Sequence, residues 1–185
     1  MKIFGKTLFR VSFALFLCAA INLLSSGKMA AQFMNEQPVK WIVSTEKVSD
    51  GVVEISLKAD IAGGWHTYDL GPYEGGPNAT TVKIKEMSGI KAIDAPYVKS
   101  GGKKEFDTAF NMEVGTLWDG DIIAQKVQVT SAAELKVRVV VEWQACNDGS
   151  CLGPEEQELT AIIPAGSVSD EAVAAESPEV SVSEC

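Results

Sequence analysis

The chain has 185 residues, 46% of them apolar, and carries 16 basic against 25 acidic side chains and one histidine, for a net charge of −9. That length supports one domain with a real core, and the acidic excess excludes a binder that works by neutralising nucleic-acid phosphates. One histidine and no nucleophile paired with a base give no support to hydrolase or metalloenzyme chemistry, since a zinc site needs four ligands that nothing here specifies.

Residues 1–31 read as a secretory signal: Lys2, Lys6 and Arg10 form a basic start, Val11 to Leu24 a fourteen-residue apolar run, and Ala30-Ala31 a small-residue cleavage region. The run falls short of the roughly 20 residues a membrane span requires. Cys18 follows Leu15-Phe16-Leu17, without the small residue a lipoprotein signal places before its cysteine, so it is expected to leave with the signal. Cleavage takes four bases and no acids, leaving a net charge of −13. The cysteines that stay, Cys146, Cys151 and Cys185, then meet an oxidising compartment, where a disulfide persists.

The domain is expected over residues 33–164. Val53, Ile55, Leu57 and Ala59 alternate with Glu54, Ser56, Lys58 and Asp60, the pattern of a half-buried strand. Similar runs follow at Trp65 to Leu70, Thr80 to Lys85, Ile122 to Thr130, Leu135 to Ala145 and Glu158 to Ile163, separated by glycine-rich turns. No helical stripe interrupts them, so the predicted fold is all-β, an antiparallel β-sandwich of immunoglobulin-like type. From Ala165 to Cys185 the chain has five acids, no base and no aromatic residue, a composition that reads as a solvated tail or linker. Nothing reads as an obligate interface, which predicts a monomer.

The last long strand runs through Val137-Arg138-Val139-Val140-Val141-Glu142-Trp143-Gln144-Ala145-Cys146 into Asn147-Asp148-Gly149-Ser150-Cys151. Alternation places Cys146 on the face opposite the Leu135–Trp143 apolar row, a more polar face that a partner would reach. Gly149 is expected to supply a positive φ for the turn. Closing so short a ring stabilises by only about 2 kcal/mol on the chain-entropy model, so the fold should survive reduction. Glu142, Asp148 and Glu155 are the acids near the pair in sequence, with no base beside them. Two functions stay open on these residues: thiol–disulfide exchange through Cys146 and Cys151, or a secreted immunoglobulin-like protein-binding module with a static local bridge.

The segment from Val141 to Glu155 resembles the active-site region of the N-terminal periplasmic domain of the thiol:disulfide interchange protein DsbD, with an aromatic-Gln-x-Cys run, a short Asp- and Gly-containing loop, a second Cys and a Pro-Glu step. More weakly, Gly64-Trp65-His66-Thr67-Tyr68 resembles the aromatic strand beside that family's cysteines, and Lys104-Glu105-Phe106 its cap loop. The resemblance implies an immunoglobulin-like domain that takes electrons from a membrane-embedded donor domain. It implies delivery to periplasmic thioredoxin-like proteins, including disulfide isomerases and cytochrome c maturation factors, with no diffusible cofactor and no metal. Cys151 would form the interprotein bond and Cys146 resolve it, under a cap of Glu105 and Phe106, with His66 and Tyr68 in the pocket beside the thiols. His66 stands where the family pattern has Tyr, and Lys104 makes the cap less acidic. Long members continue into a multi-span membrane domain, so a stand-alone domain and a piece of a longer reductase are both consistent with this sequence; Cys185 is expected to be an unpaired linker residue.

Overall fold

The computed structural model describes residues 37–85 and 88–168. The signal segment, Cys18, the tail beyond residue 168 and Cys185 lie outside the described residues. Described strands are β1 (Val39–Ser49), β2 (Val52–Ile61), β3 (His66–Tyr68), β4 (Thr81–Ile84), β5 (Ile90–Ala92), β6 (Tyr97–Ser100), β7 (Lys103–Asp107), β8 (Met112–Leu117), β9 (Ile122–Val129), β10 (Leu135–Trp143), β11 (Ala145–Cys146) and β12 (Glu155–Ile163).

All pairings among them are antiparallel. One sheet runs β1-β2-β9-β5, with β6 also on β9; a second runs β12-β10-β4; a third, smaller one runs β11-β3-β8-β7. Period-two patterning explains the layering. Val53, Ile55, Leu57 and Ala59 of β2 and Ile123, Val127 and Val129 of β9 face Val137, Val139, Val141 and Trp143 of β10 in one buried cluster. Each fully buried side chain of this kind contributes roughly 1.5–3 kcal/mol. Trp41 and Trp143 meet edge to face at 6.3 Å inside it, and Gln157 of β12 joins the sheets by accepting from the Trp41 amide at 2.9 Å and donating to its carbonyl at 3.2 Å. The fold is the expected all-β immunoglobulin-like β-sandwich.

Two details depart from the expected limits. The run predicted from Leu135 to Ala145 breaks at Gln144: β10 belongs to the second sheet, whereas β11 pairs with β3 in the third. Packing also continues past Pro164, because Ser167 and Val168 are buried and the Ser167 carbonyl accepts from the Gly51 amide at 3.1 Å.

On β2, Glu54 is only 5% exposed. It is held by the Lys99 ammonium and the Tyr97 hydroxyl of β6, and Glu46 lies 3.6 Å from the same ammonium. Burial alone would raise the Glu54 carboxyl, but the Lys99 and Tyr97 hydrogen bonds outweigh it and hold the group below its ordinary value of 4.5. A depressed carboxyl stabilises the fold above its unfolded value, and that contribution disappears as pH falls through the folded one. Glu54→Gln is therefore expected to lower thermal stability at neutral pH by about 1–2 kcal/mol. The gap from the parent should close as pH falls below 4.5, as followed by melts across a pH series.

Candidate functional site

The switch of sheets at Gln144 creates the site. The Gln144 side chain donates to the Leu152 carbonyl at 3.0 Å and accepts from Asn78 at 3.3 Å, and the Leu152 amide returns to the Ala145 carbonyl at 2.8 Å. Between these anchors Cys146 and Cys151 form a disulfide with a Cα–Cα distance of 4.0 Å. The enclosed turn is tied by Asn147, whose Oδ1 accepts from the Gly149 and Ser150 amides at 2.9 Å each and whose own amide donates to the Ser150 carbonyl at 2.9 Å. Gly149 does not take a positive φ, contrary to expectation. The Asn147 side chain makes the turn in its place.

The two sulfurs occupy different environments. Cys151 is exposed. Cys146 is 1% exposed and lies in an apolar cluster with Tyr68 and Val114, against which Tyr73, Phe110 and Met112 pack. Alternation correctly turns Cys146 away from the Trp143 row, but the face it enters is covered by the third sheet rather than open to a partner. The accessible sulfur is Cys151.

A cleft of about 510 Å³ opens at Cys151, lined among others by His66, Tyr68, Glu105, Phe106, Asp107 and Phe110. His66 pairs with Cys146 across β3 and β11. Its ring lies 5.1 Å from Trp118 and 5.4 Å, edge-on, from Tyr68. The segment expected as a cap loop, Lys104-Glu105-Phe106, is part of strand β7, because Glu105 and Phe106 pair with Val114 and Glu113 of β8. Phe106 is 58% exposed. The turn proper follows it: Asp107 Oδ1 accepts from the Ala109 and Phe110 amides at 2.8 and 3.2 Å, and Asn111 takes the left-handed φ of 54° that closes the hairpin. This places the Phe110 ring edge-on to Tyr68 at 6.1 Å.

Charge around the cleft follows from these contacts. Asp107 Oδ2 accepts from the Tyr68 hydroxyl at 2.9 Å. Burial first, then Asp107, pushes the Tyr68 phenol well above its ordinary value. Burial works against the Asp107 carboxylate, yet the Tyr68 hydroxyl and the two turn amides hold it below the usual range. The Glu105 carboxyl is lowered chiefly by Lys103, whose ammonium lies 2.6 Å away, and it also accepts from Thr116 at 3.1 Å. Tyr73, bonded to Asp69 and accepting from the Gly115 amide at 2.6 Å, is pushed up to about 12, mainly by burial. That corner admits no side chain at position 115, where an added Cβ would stand 1.9 Å from Asp69 Oδ2. His66 is lowered by burial, which Glu105, Asp107 and Asp148 oppose.

A family model for the N-terminal domain of the thiol:disulfide interchange protein DsbD matches residues 30–162. The chain belongs to the DsbD N-terminal family. No individually curated protein matches it. Among solved structures it is similar to the reduced DsbD N-terminal domain of Neisseria meningitidis, at 16% identity over 74% of this chain and 94% of that one, with a TM-score of 0.43. It is similar to the same organism's DsbD N-terminal domain in complex with the PilB N-terminal domain, at 16% identity over 65% and 80% of the chains and a TM-score of 0.42. It is also similar to the N-terminal periplasmic domain of ScsB from Proteus mirabilis, at 19% identity over 66% of this chain and 44% of that one, with a TM-score of 0.44.

Within this DsbD-type domain, the cleft brings together Cys151, His66, Tyr68, Glu105 and Phe106 from the residues singled out in sequence. Of the acids expected near the pair it gathers Asp148 but not Glu142 or Glu155. Glu142 is on β10 with Lys83 at 3.0 Å and Thr81 at 2.9 Å, and lines a different cleft together with Glu155. The acids that bear on His66 are Glu105, Asp107 and Asp148, and His66, expected in the pocket from the resemblance, is a basic side chain that distance along the chain did not place beside the cysteines. Phe110, Asp107 and Trp118 were also missed. Asp107-Thr108-Ala109 had carried the signal for Asp107, since an Asp before small residues favours this side-chain turn.

The asymmetry of the sulfurs has a direct readout. After reduction, iodoacetamide is expected to modify Cys151 about tenfold or more faster than Cys146, because alkylation follows thiolate access. Peptide mass mapping over a time course checks this, and equal rates would contradict the burial of Cys146.

Proposed function

We propose that this chain is a periplasmic thiol–disulfide exchange domain that moves reducing equivalents through Cys146 and Cys151, from a membrane-embedded donor domain to thioredoxin-like proteins. The membership of the family supports the reaction class, and the family's thioredoxin-like clients, disulfide isomerases and cytochrome c maturation factors, supply the partner class. One observation carries the division of labour: Cys151 opens into the cleft while Cys146 is buried behind it.

In the reducing direction the Cys151 thiolate attacks a partner disulfide, forming the interprotein bond and expelling one partner sulfur. Cys146 then attacks Cys151, closing the ring and releasing the second partner sulfur as a thiolate. Two electrons and two sulfur–sulfur bonds are exchanged, and nothing else is consumed. Phe106, exposed on the cleft rim, is the movable part of the cover that shields the pair and swings aside on docking, with Glu105 beside it. Phe110 and Tyr68 form the fixed part over Cys146. His66 completes the pocket.

The test is a trap. With a periplasmic thioredoxin-like protein, Cys146→Ser is expected to accumulate a mixed disulfide through Cys151, visible on non-reducing gels, whereas Cys151→Ser should abolish most of it. An equilibrium potential above about −300 mV for the pair is expected alongside. A pair reducible only below that range, with no mixed disulfide from either variant, would favour a static bridge in a binding module.

A further inference from the structure

We infer that His66 is the base that takes the proton from Cys146 when that thiol resolves the mixed disulfide. The inference rests on the exchange reading above and adds a residue to it. Cys146 has to attack from an apolar cluster of Tyr68, Val114, Phe110 and Met112, where forming a thiolate is costly. It therefore needs a proton acceptor within reach. His66 is its cross-strand partner. Directly opposed residues in an antiparallel pair carry Cβ atoms about 4.5–5.5 Å apart on the same face, which makes the His66 and Cys146 side chains same-face neighbours, and His66 also lines the cleft with Cys151.

The groups facing His66 leave it as the proton carrier. Its own strand supplies Tyr68, whose phenol stays protonated well above its ordinary value. β7 supplies Glu105, tied to Lys103, and Asp107, tied to Tyr68; both carboxyls are held in the charged form and lie low as acceptors. The turn between the cysteines supplies Asp148. On the far side Trp118 offers a ring, fixed by its indole donating to Thr116 at 3.0 Å. Burial keeps the imidazole neutral at neutral pH, ready to accept a proton, while Glu105, Asp107 and Asp148 stabilise the imidazolium once it forms.

The S–H proton of Cys146 passes to the imidazole, and its sulfur attacks Cys151 Sγ. The Cys146–Cys151 bond forms, the Cys151–partner bond breaks, and its electron pair leaves on the partner sulfur. The imidazolium then returns its proton to solvent.

The test uses the reduced full chain with Cys18→Ser and Cys185→Ser, mixed with excess dithiobis-nitrobenzoate in a stopped-flow instrument. Two thionitrobenzoate equivalents are released in sequence, the first as Cys151 is modified and the second as Cys146 resolves the adduct. His66→Phe, which keeps a ring on Trp118, is expected to slow the second phase about tenfold or more at neutral pH and change the first less than about twofold. The parent's second phase should rise through the histidine range and level off, while the variant's keeps rising toward the thiol's own titration. His66→Tyr serves as the second variant should Phe fail to fold. An unchanged second phase, or one pH profile for parent and variant, would overturn the inference. Mass spectrometry of the first adduct reports separately on the proposed order of the cysteines: an adduct on Cys146 would overturn that order, and His66 would then be judged on whichever phase Cys146 governs.

Discussion

The arrangement depends on one strand changing sheets. β10 is held in the core by β12 along its whole length, and two residues later the same chain is hydrogen-bonded to β3 in a different sheet. Gln144 occupies the crossing and spends its side-chain amide on Leu152 and Asn78, so the crossing is fixed from both sides of the loop. A continuous strand would have left Cys146 on an open face. By crossing, the chain inserts it between two layers, with Ala145 in the main core and Cys146 in the smaller cluster on the other side. The burial of one sulfur and the exposure of the other are consequences of that geometry, not of any local property of the turn.

The third sheet is what gives the buried sulfur its surroundings, and its organising group is Asp107. A single carboxylate ties the Tyr68 hydroxyl to the two amides that start the β7–β8 turn. Losing its negative charge would loosen the turn that carries Phe110 and the phenol that packs on Cys146 together. The same bonds keep Asp107 ionised against its burial and keep Tyr68 a neutral hydrogen-bond donor. The cleft thus has fixed charges on its rim, and burial lowers the histidine among them from its ordinary value of 6.5 against the pull of Glu105, Asp107 and Asp148.

Much of this was legible in the sequence. The strict alternation of β2 and the apolar row of β10 pointed to the sandwich, and the Trp-Gln-Ala-Cys run with a second cysteine across an Asn-Asp-Gly turn pointed to the disulfide and the family. Less was legible where neighbours in space decide. β1 alternates only at its start, through Val39, Trp41 and Val43, the short strands β5 to β8 offer one to three apolar side chains each, and β7 reads Lys103-Lys104-Glu105-Phe106-Asp107, a polar edge strand whose pairing with β8 comes from its partner rather than its own pattern. Period two located the face of Cys146 correctly but is silent on what covers a face. Sequence distance misassigned the acids for the same reason: Glu142 and Glu155 are close to the cysteines along the chain, whereas Glu105 and Asp107 arrive from forty residues away.

The shortness of the ring gives the final constraint. Closing so few residues stabilises the fold by only about 2 kcal/mol, and the ring's conformation does not depend on the sulfur bond alone. Asn147 ties the turn to its own amides, the Leu152 amide reaches Ala145 across its base, and Gln144 braces the exit. None of those bonds involves a sulfur, so opening the disulfide breaks none of them directly. A pair held this way can pass between oxidation states without reorganising the sandwich behind it. The free-energy cost of exchange then falls on the two sulfurs, on the proton of the buried one, and on the aromatic side chains that cover it.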